Sequence, residues 1–427
     1  MYGNLFGKSM GDKFTVLQKR TSQNGVRIIS EHIPHVRSVA VGVWVYVGSK
    51  HETPEENGLT HFIEHMLFKG TATRSARQIA EEFDRIGGYV NAFTSKENTC
   101  YYAKVLDHHA KHAISVLADM FFHSQFDEQE LDKERQVVLE EILMVEDTPD
   151  DDVHEQLWNV MYPNQPLGAS ILGTKATLET FSKDSIHQFM DHHYRPEHIV
   201  ISVAGNIPDG YIDYIDSLFG HFTSNSARVD RLEPDSPIFH PGESRKTRET
   251  EQGHLCLGYP GLSVRDQHIY DLVVLNNILG GNMSSRLFQE VREEKALAYS
   301  IYSYHSSYED SGSLAIYGGT SSNQLQKLQE TIQETIQKVV DDGVTNTEVN
   351  NAKEQLKGNL MLGLESTNAR MTRNGKNELT FSAHKTYDET LQEIDEVHIH
   401  HVQKLVTEIF AHKPAISIIT PSKDNPL

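Results

Sequence analysis

Cysteine is nearly absent: Cys100 and Cys256 are the only two in 427 residues. So few, so far apart, allow neither a disulfide framework nor a cysteine-based zinc site, and they suit a reducing, cytoplasmic compartment. Long apolar runs are also missing. No stretch approaches the ~18 uninterrupted apolar residues of a membrane span, and the start, MYGNLFGKSMGDKF, has no apolar centre of the kind a secretory signal needs. We therefore expect a protein with no membrane partner, and read residues 1–13 as a loose extension. Positive charge is scarce, with 39 Lys and Arg against 60 Asp and Glu, a formal charge of −21. That balance leaves no basic footprint for nucleic acid as the main partner and favours a cationic one. The phosphate-cradling run G-x-x-x-x-G-K-[ST] does not occur. What remains is an ordinary globular composition, with 38% hydrophobic residues, 28 Gly and 14 Pro, in a chain long enough for two or three domains.

The segment SVAVGVWVYVGS, 38–49, is apolar on both alternating faces, which predicts a buried central strand. In NGLTHFIEHMLFKGT, 57–71, apolar residues recur at helical spacing behind Thr60, which can cap a helix. Helical patterns follow at about 75–87, 107–123 and 127–146, with a strand pattern at 89–106. The polar stretch 222–246, with Pro234, Pro237 and Pro241, reads as a linker. After it the order of elements restarts: strand at 254–259, helix at 266–279, strands at 298–306 and 311–319, helix at 323–341.

We divide the chain into an N-terminal half, 1–220, a linker, 221–245, and a C-terminal half, 246–427. Sliding one half over the other matches LFKGT, 67–71, to ILGGN, 278–282, and DEQELDKERQ, 127–136, to the region around 345–355. Under these offsets His61, Glu64 and His65 face Leu272, Leu275 and Asn276, while Glu134 and Glu141 face Ala352 and Asn359. One half carries a cluster of ligand-type residues and the other does not.

The cluster is H-F-I-E-H, 61–65. Residues four apart share a helical face, so His61 and His65 can grip one ion while Glu64 projects beside them. Zinc in such a setting lowers the pKa of a water toward ~7 and a carboxylate takes its proton. A catalytic zinc wants a third protein ligand. In ERQVVLEEILMVED, 134–147, the positions Val137, Val138, Leu139 and Ile142 would point a helix into a core. Glu134 and Glu141 lie two turns apart on one face, whereas Glu140 is rotated by ~100° from Glu141. One of that pair can be ligand and the other its support; a solvated acidic face is the alternative.

With these residues the chain resembles the pitrilysin or insulinase family of zinc metallopeptidases, and within it the mitochondrial processing peptidase beta-subunit type and its bacterial relatives. The resemblance runs from about residue 20 to 420. It includes GGYVNAFTSKENTCYYAKV at 87–105, ERQVVLEEI at 134–142, NQPLGASILGT at 164–174, HYRPEHIVISVAGN at 193–206, NMSSRLFQEVREEKALAYSIYS at 282–303 and GNLMLGLESTNARMTRNGKNEL at 358–379. It implies an α/β (α+β) fold of two related halves, each a sheet packed with helices, forming a clamshell around a chamber. It implies one zinc per chain held by His61, His65 and Glu141, with Glu64 as general base and Glu134 as supporting acid.

By the same resemblance V-N-A-F-T, 90–94, is an edge strand to which an extended peptide adds, the backbone of Asn91 and Ala92 fixing its register. Arg292 and Tyr299, in REEKALAY, match a pair that holds substrate carbonyls. Phe68 either borders a pocket for the residue after the cut or packs in the core. The acidic residues Glu146, Asp147, Asp150, Asp151, Asp152 and Glu155 either attract basic peptides or form a solvated loop. Both sets of site residues lie in one chain, which suits a self-sufficient enzyme working as a homodimer. The competing reading is a non-catalytic structural or partner subunit of the same fold; such subunits typically lose part of the motif. The clusters His108, His109 and His112, His192 and His193, and His398, His400 and His401 have no carboxylate at a spacing that argues for chemistry, although the last could bind metal adventitiously.

Overall fold

The computed structural model describes residues 17–223 and 236–421. The expected N-terminal extension and the middle of the expected linker lie outside them. Strands β1 (Leu17–Thr21), β2 (Arg27–His32), β3 (Ser38–Val45), β4 (Tyr89–Thr94), β5 (Thr99–Leu106) and β6 (Ile199–Gly205) form one sheet in the order β1-β2-β6-β3-β5-β4. As its two apolar faces require, β3 is a buried inner strand, antiparallel to both β5 and β6. A second sheet holds β7 (Gly242–Arg248), β8 (Gln252–Pro260), β9 (Ser300–Ser307), β10 (Gly312–Ser321) and β11 (Ala415–Pro421), in the order β7-β11-β8-β10-β9. The pattern predicted at 89–106 resolves into a hairpin, β4 and β5. The end of the expected linker is strand: β7 pairs in parallel with β11, and its polar, half-exposed pattern at a sheet edge hides it from a hydrophobicity reading.

The helices are α1 (Leu59–Met66), α2 (Ala76–Arg85), α3 (Ala110–His123), α4 (Glu128–Asp147), α5 (Pro149–Met161), α6 (Lys175–Leu178), α7 (Lys183–His193) and α8 (Tyr211–Phe219) in the first part of the chain. The remainder carries α9 (Ile269–Gly280), α10 (Leu325–Asp342), α11 (Asn346–Gly363), α12 (Thr367–Phe381), α13 (Tyr387–Asp395) and α14 (Ile399–Phe410). No helix among the described residues is long and apolar enough to cross a membrane.

The two sheets repeat one plan. Reading β2-β6-β3-β5-β4 against β7-β11-β8-β10-β9, the first pair is parallel and the others antiparallel in both. The compact units, however, are not continuous in sequence. Among the described residues one comprises 17–139, 171–223 and 361–388, and the other 140–170, 236–360 and 389–421. Helix α12, late in the chain, packs on β2, β3 and β6, and α5, from the early part, packs on β7, β8 and β11. The exchanged helices meet their sheets alike: a Cβ built on Gly42 of β3 would lie 2.6 Å from Met371 Sδ, and one on Gly258 of β8 would lie 2.5 Å from Met161 Sδ. Local periodicity cannot announce which sheet an amphipathic helix will cover, so this exchange is tertiary information.

Buried charge pairs lock both helices. Glu31 on β2 accepts from Arg370, from Asn374 at 2.7 Å and from Tyr387 at 2.9 Å. In the other unit Asp152 of α5 meets Lys246 at 2.7 Å and Arg248 at 2.8 Å on β7. Each carboxylate is buried and would be costly left alone. Gly375 sets how closely α12 approaches β3, since a Cβ there would stand 2.3 Å from Trp44 Nε1. Gly375→Ala should therefore overpack this interface and cost about 1–3 kcal/mol, seen as a lower urea midpoint with unchanged slope.

Candidate metal centre and catalytic residues

Helix α1 buries Leu59, Phe62, Ile63 and Met66, which leaves His61, Glu64 and His65 half-buried on its other side. Its start is not capped by Thr60, which lies inside the helix. Gly58 takes the N-cap position in the left-handed region, at φ 94°, where a side chain would also strike Gly173. The cap is Glu52, whose carboxylate accepts the Gly58 N–H at 2.8 Å and the Thr60 N–H at 2.7 Å. A negative group at a helix N-terminus satisfies donors the helix cannot. Burial nonetheless pushes the Glu52 carboxyl up to about 7 against these hydrogen bonds. No capping spacing marks Glu52 in the sequence, because it reaches in from an upstream loop.

The rings of His61 and His65 lie 4.6 Å apart. Burial, with His65 beside it, pulls the His61 pKa down to about 3, so this imidazole is neutral and able to donate a lone pair at ordinary pH. His65 Nδ1 hydrogen-bonds Glu134 Oε2 at 3.1 Å, which assigns the proton to Nδ1 and leaves Nε2 for an ion. Glu134 is 3% exposed and also meets Lys69 Nζ at 2.6 Å. Burial opposes its ionisation, but His65 and Lys69 together outweigh that and hold the carboxyl below the usual range. Lys69 was missed in the sequence; its signal was its place four residues after His65.

Val138 of α4 is buried as its pattern required, but Val137 is exposed, so the inward face is narrower than the run of apolar letters implies. Two turns beyond Glu134, helix α4 carries Glu141. His61, His65 and Glu141 each present a donor atom, all within 4.8 Å of one another. Two imidazoles and a carboxylate are a donor set that catalytic zinc uses, so these residues fit that ion. Glu134→Ala should strip His65 of its orienting partner and weaken zinc binding about 10–100-fold, measurable by competition with a chromophoric chelator.

Glu64 accepts a hydrogen bond from Thr94 Oγ1 at 2.5 Å. Thr94 closes β4, one of the sheet's two edge strands. On that strand Asn91 is exposed; its Nδ2 donates to the Tyr89 hydroxyl at 2.7 Å and its Oδ1 accepts the Ala92 N–H at 2.9 Å. Phe68 lies in the turn after α1, half-buried, its N–H donating to His65 O at 3.1 Å. In the other unit Arg292 sits on a π-helical turn, Phe288–Glu294, with its guanidinium 4.7 Å from the Phe288 ring centre and 4.4 Å from that of Tyr299. Tyr299 is 77% exposed and stands immediately before the edge strand β9.

Residues 27–175 match the family model described as insulinase (peptidase family M16), and residues 180–356 match the peptidase M16 inactive domain. The chain is 58% identical over 411 residues to the uncharacterized zinc protease YmxG of Bacillus subtilis, covering 96% of this chain and 100% of that protein. With the uncharacterized zinc protease SCO5738 of Streptomyces coelicolor it shares 40% identity over 96% of this chain and 90% of the relative. A protease from Helicobacter pylori has the same fold, with a TM-score of 0.89 at 20% identity over 95% of this chain and all of the other. The chain thus belongs to the M16 (insulinase) family of metallopeptidases.

Proposed function

We propose that the protein is a zinc metalloendopeptidase of the H-x-x-E-H type, with His61, His65 and Glu141 as ligands of one catalytic zinc and Glu64 as general base. The observation that carries the reading is the Glu64 carboxylate, held by Thr94 beside His61, an imidazole kept neutral by burial. Zinc, when bound, supplies Lewis acidity at this point. Glu64 then takes a proton from the attacking water and passes it to the leaving amine. Glu134 keeps His65 in the right tautomer, with Lys69 balancing the charge.

The substrate in this reading is an unstructured peptide in an enclosed chamber, added as a strand to β4. The backbone of Asn91 and Ala92 sets its register once the Asn91 side chain releases the Ala92 N–H. Arg292 and Tyr299 hold substrate carbonyls, the stacking of the pair fixing the charge in place, and Phe68 borders the pocket beyond the cut. The protein would act as a homodimer. The C-terminal half, which lacks the catalytic ligands, contributes substrate contacts, which fits its match to a domain described as inactive. Zinc-loaded protein should cut members of a mixed library of unstructured peptides and spare folded proteins. A library left wholly intact would sink this reading in favour of a non-catalytic partner subunit.

A preference for basic peptides would rest on Glu146, Asp150 and Asp151, which are exposed, and not on Asp152, which is buried against Lys246 and Arg248. Asp150→Asn with Asp151→Asn should lower kcat/KM for Arg- or Lys-bearing peptides by roughly 2–10-fold relative to neutral ones, and the difference should shrink in high salt.

A further inference from the structure

The half without the catalytic ligands carries a different constellation. Asp271, in the first turn of α9, is 4% exposed. Two imidazole nitrogens converge on the same carboxylate oxygen, Oδ2: Nδ1 of His268 at 2.7 Å and Nδ1 of His401, from α14, at 3.8 Å. The two rings lie 5.2 Å apart, and the donor atoms of all three residues fall within 4.8 Å of one another. His268 is placed by its own N–H, which donates to Asp266 Oδ1 at 2.7 Å. Asp271 and His401 are brought together because α9 packs against α14, with Leu272, Val402, Leu405 and Val406 in one buried cluster.

One short imidazole hydrogen bond compensates this buried carboxylate, and a divalent cation that displaces the imidazole proton would be held by the same oxygen and by the second imidazole already gathered beside it. We propose that His268, Asp271 and His401 form a second metal site, distinct from the one on α1, taking a borderline divalent ion such as Zn²⁺. The donor set, two imidazoles and one carboxylate, is selective for such an ion over Mg²⁺ or Ca²⁺, which want oxygen ligands. The partly exposed imidazoles leave the remaining position to water. The ion ties the start of α9 to the start of α14, two segments more than a hundred residues apart, and so acts as a staple on the C-terminal half. The sequence hid this site because Asp271 and His401 share no local spacing. The cluster at His398, His400 and His401 shows three imidazoles and no carboxylate until the fold supplies one.

The test is equilibrium dialysis of the full chain against Zn²⁺, with bound zinc measured by atomic emission. In a His61→Ala/His65→Ala variant, which lacks the catalytic ligands, about one zinc per chain should remain and should raise the melting temperature. Adding His401→Ala, a half-exposed position whose loss the fold tolerates, should weaken that zinc at least tenfold and abolish the thermal shift. His400→Ala, next to it on the surface, should change neither. Asp271→Asn, checked for folding by circular dichroism, should behave as His401→Ala does. The proposal is overturned if the His61→Ala/His65→Ala variant binds no zinc, which leaves a plain His–Asp ion pair. It is equally overturned if His400→Ala reduces binding as much as His401→Ala, which means adventitious capture by surface histidines. Neither result bears on peptide hydrolysis, so this site and the catalytic reading stand or fall separately.

Discussion

Glu64→Gln is expected to keep its zinc and lose about 10²–10⁴-fold in kcat/KM, the usual worth of a positioned general base. The amide matches the carboxylate in size, and its oxygen can still accept the Thr94 hydroxyl that now lies 2.5 Å from Glu64. It cannot take a proton from water. Bound zinc and the melting temperature should therefore stay at wild-type values while turnover collapses. Zinc lost together with activity would show instead that Glu64 holds the metal, and would remove the base from the mechanism.

The second large effect is expected at Glu141. In the proposed site Glu141→Gln replaces an anionic ligand by a neutral one of the same shape, so it should release the catalytic zinc on dialysis and bring peptide cleavage to background. It should also lose the stabilisation that ligation confers, on the order of 4 kcal/mol where zinc exceeds its dissociation constant by a thousandfold. Excess zinc should restore part of the activity of Glu141→Gln and none of that of Glu64→Gln. That crossed result separates a residue that holds the ion from one that moves the proton. If Glu141→Gln binds zinc as tightly as wild type, the third ligand lies elsewhere and the 4.8 Å grouping with His61 and His65 is fortuitous.

Much of this arrangement was legible before any coordinates. The helix carrying His61, Glu64 and His65 follows from apolar spacing, because one face must be buried and these three polar residues stand on the remaining face. The doubled plan was visible in the restart of strands and helices after residue 246, and the buried character of β3 in its two apolar faces. Less legible were contacts whose partners are distant in sequence. Glu52 caps α1 from an upstream loop, and Asp152 reads as a solvated acid until Lys246 and Arg248 reach it from β7.

The sequence by itself determined the chemistry on offer: two imidazoles and a carboxylate on one turn of helix, two glutamates two turns apart on another, and few cysteines to compete for metal. These are consequences of periodicity, which acts over a few residues. Only the tertiary structure decided which sheet each of α5 and α12 would cover, that Thr94 at an edge strand would steady Glu64, and that Asp271 would be buried beneath His268 and His401. Those outcomes depend on packing between segments far apart in the chain, where shape and charge select the partner and no local pattern records it.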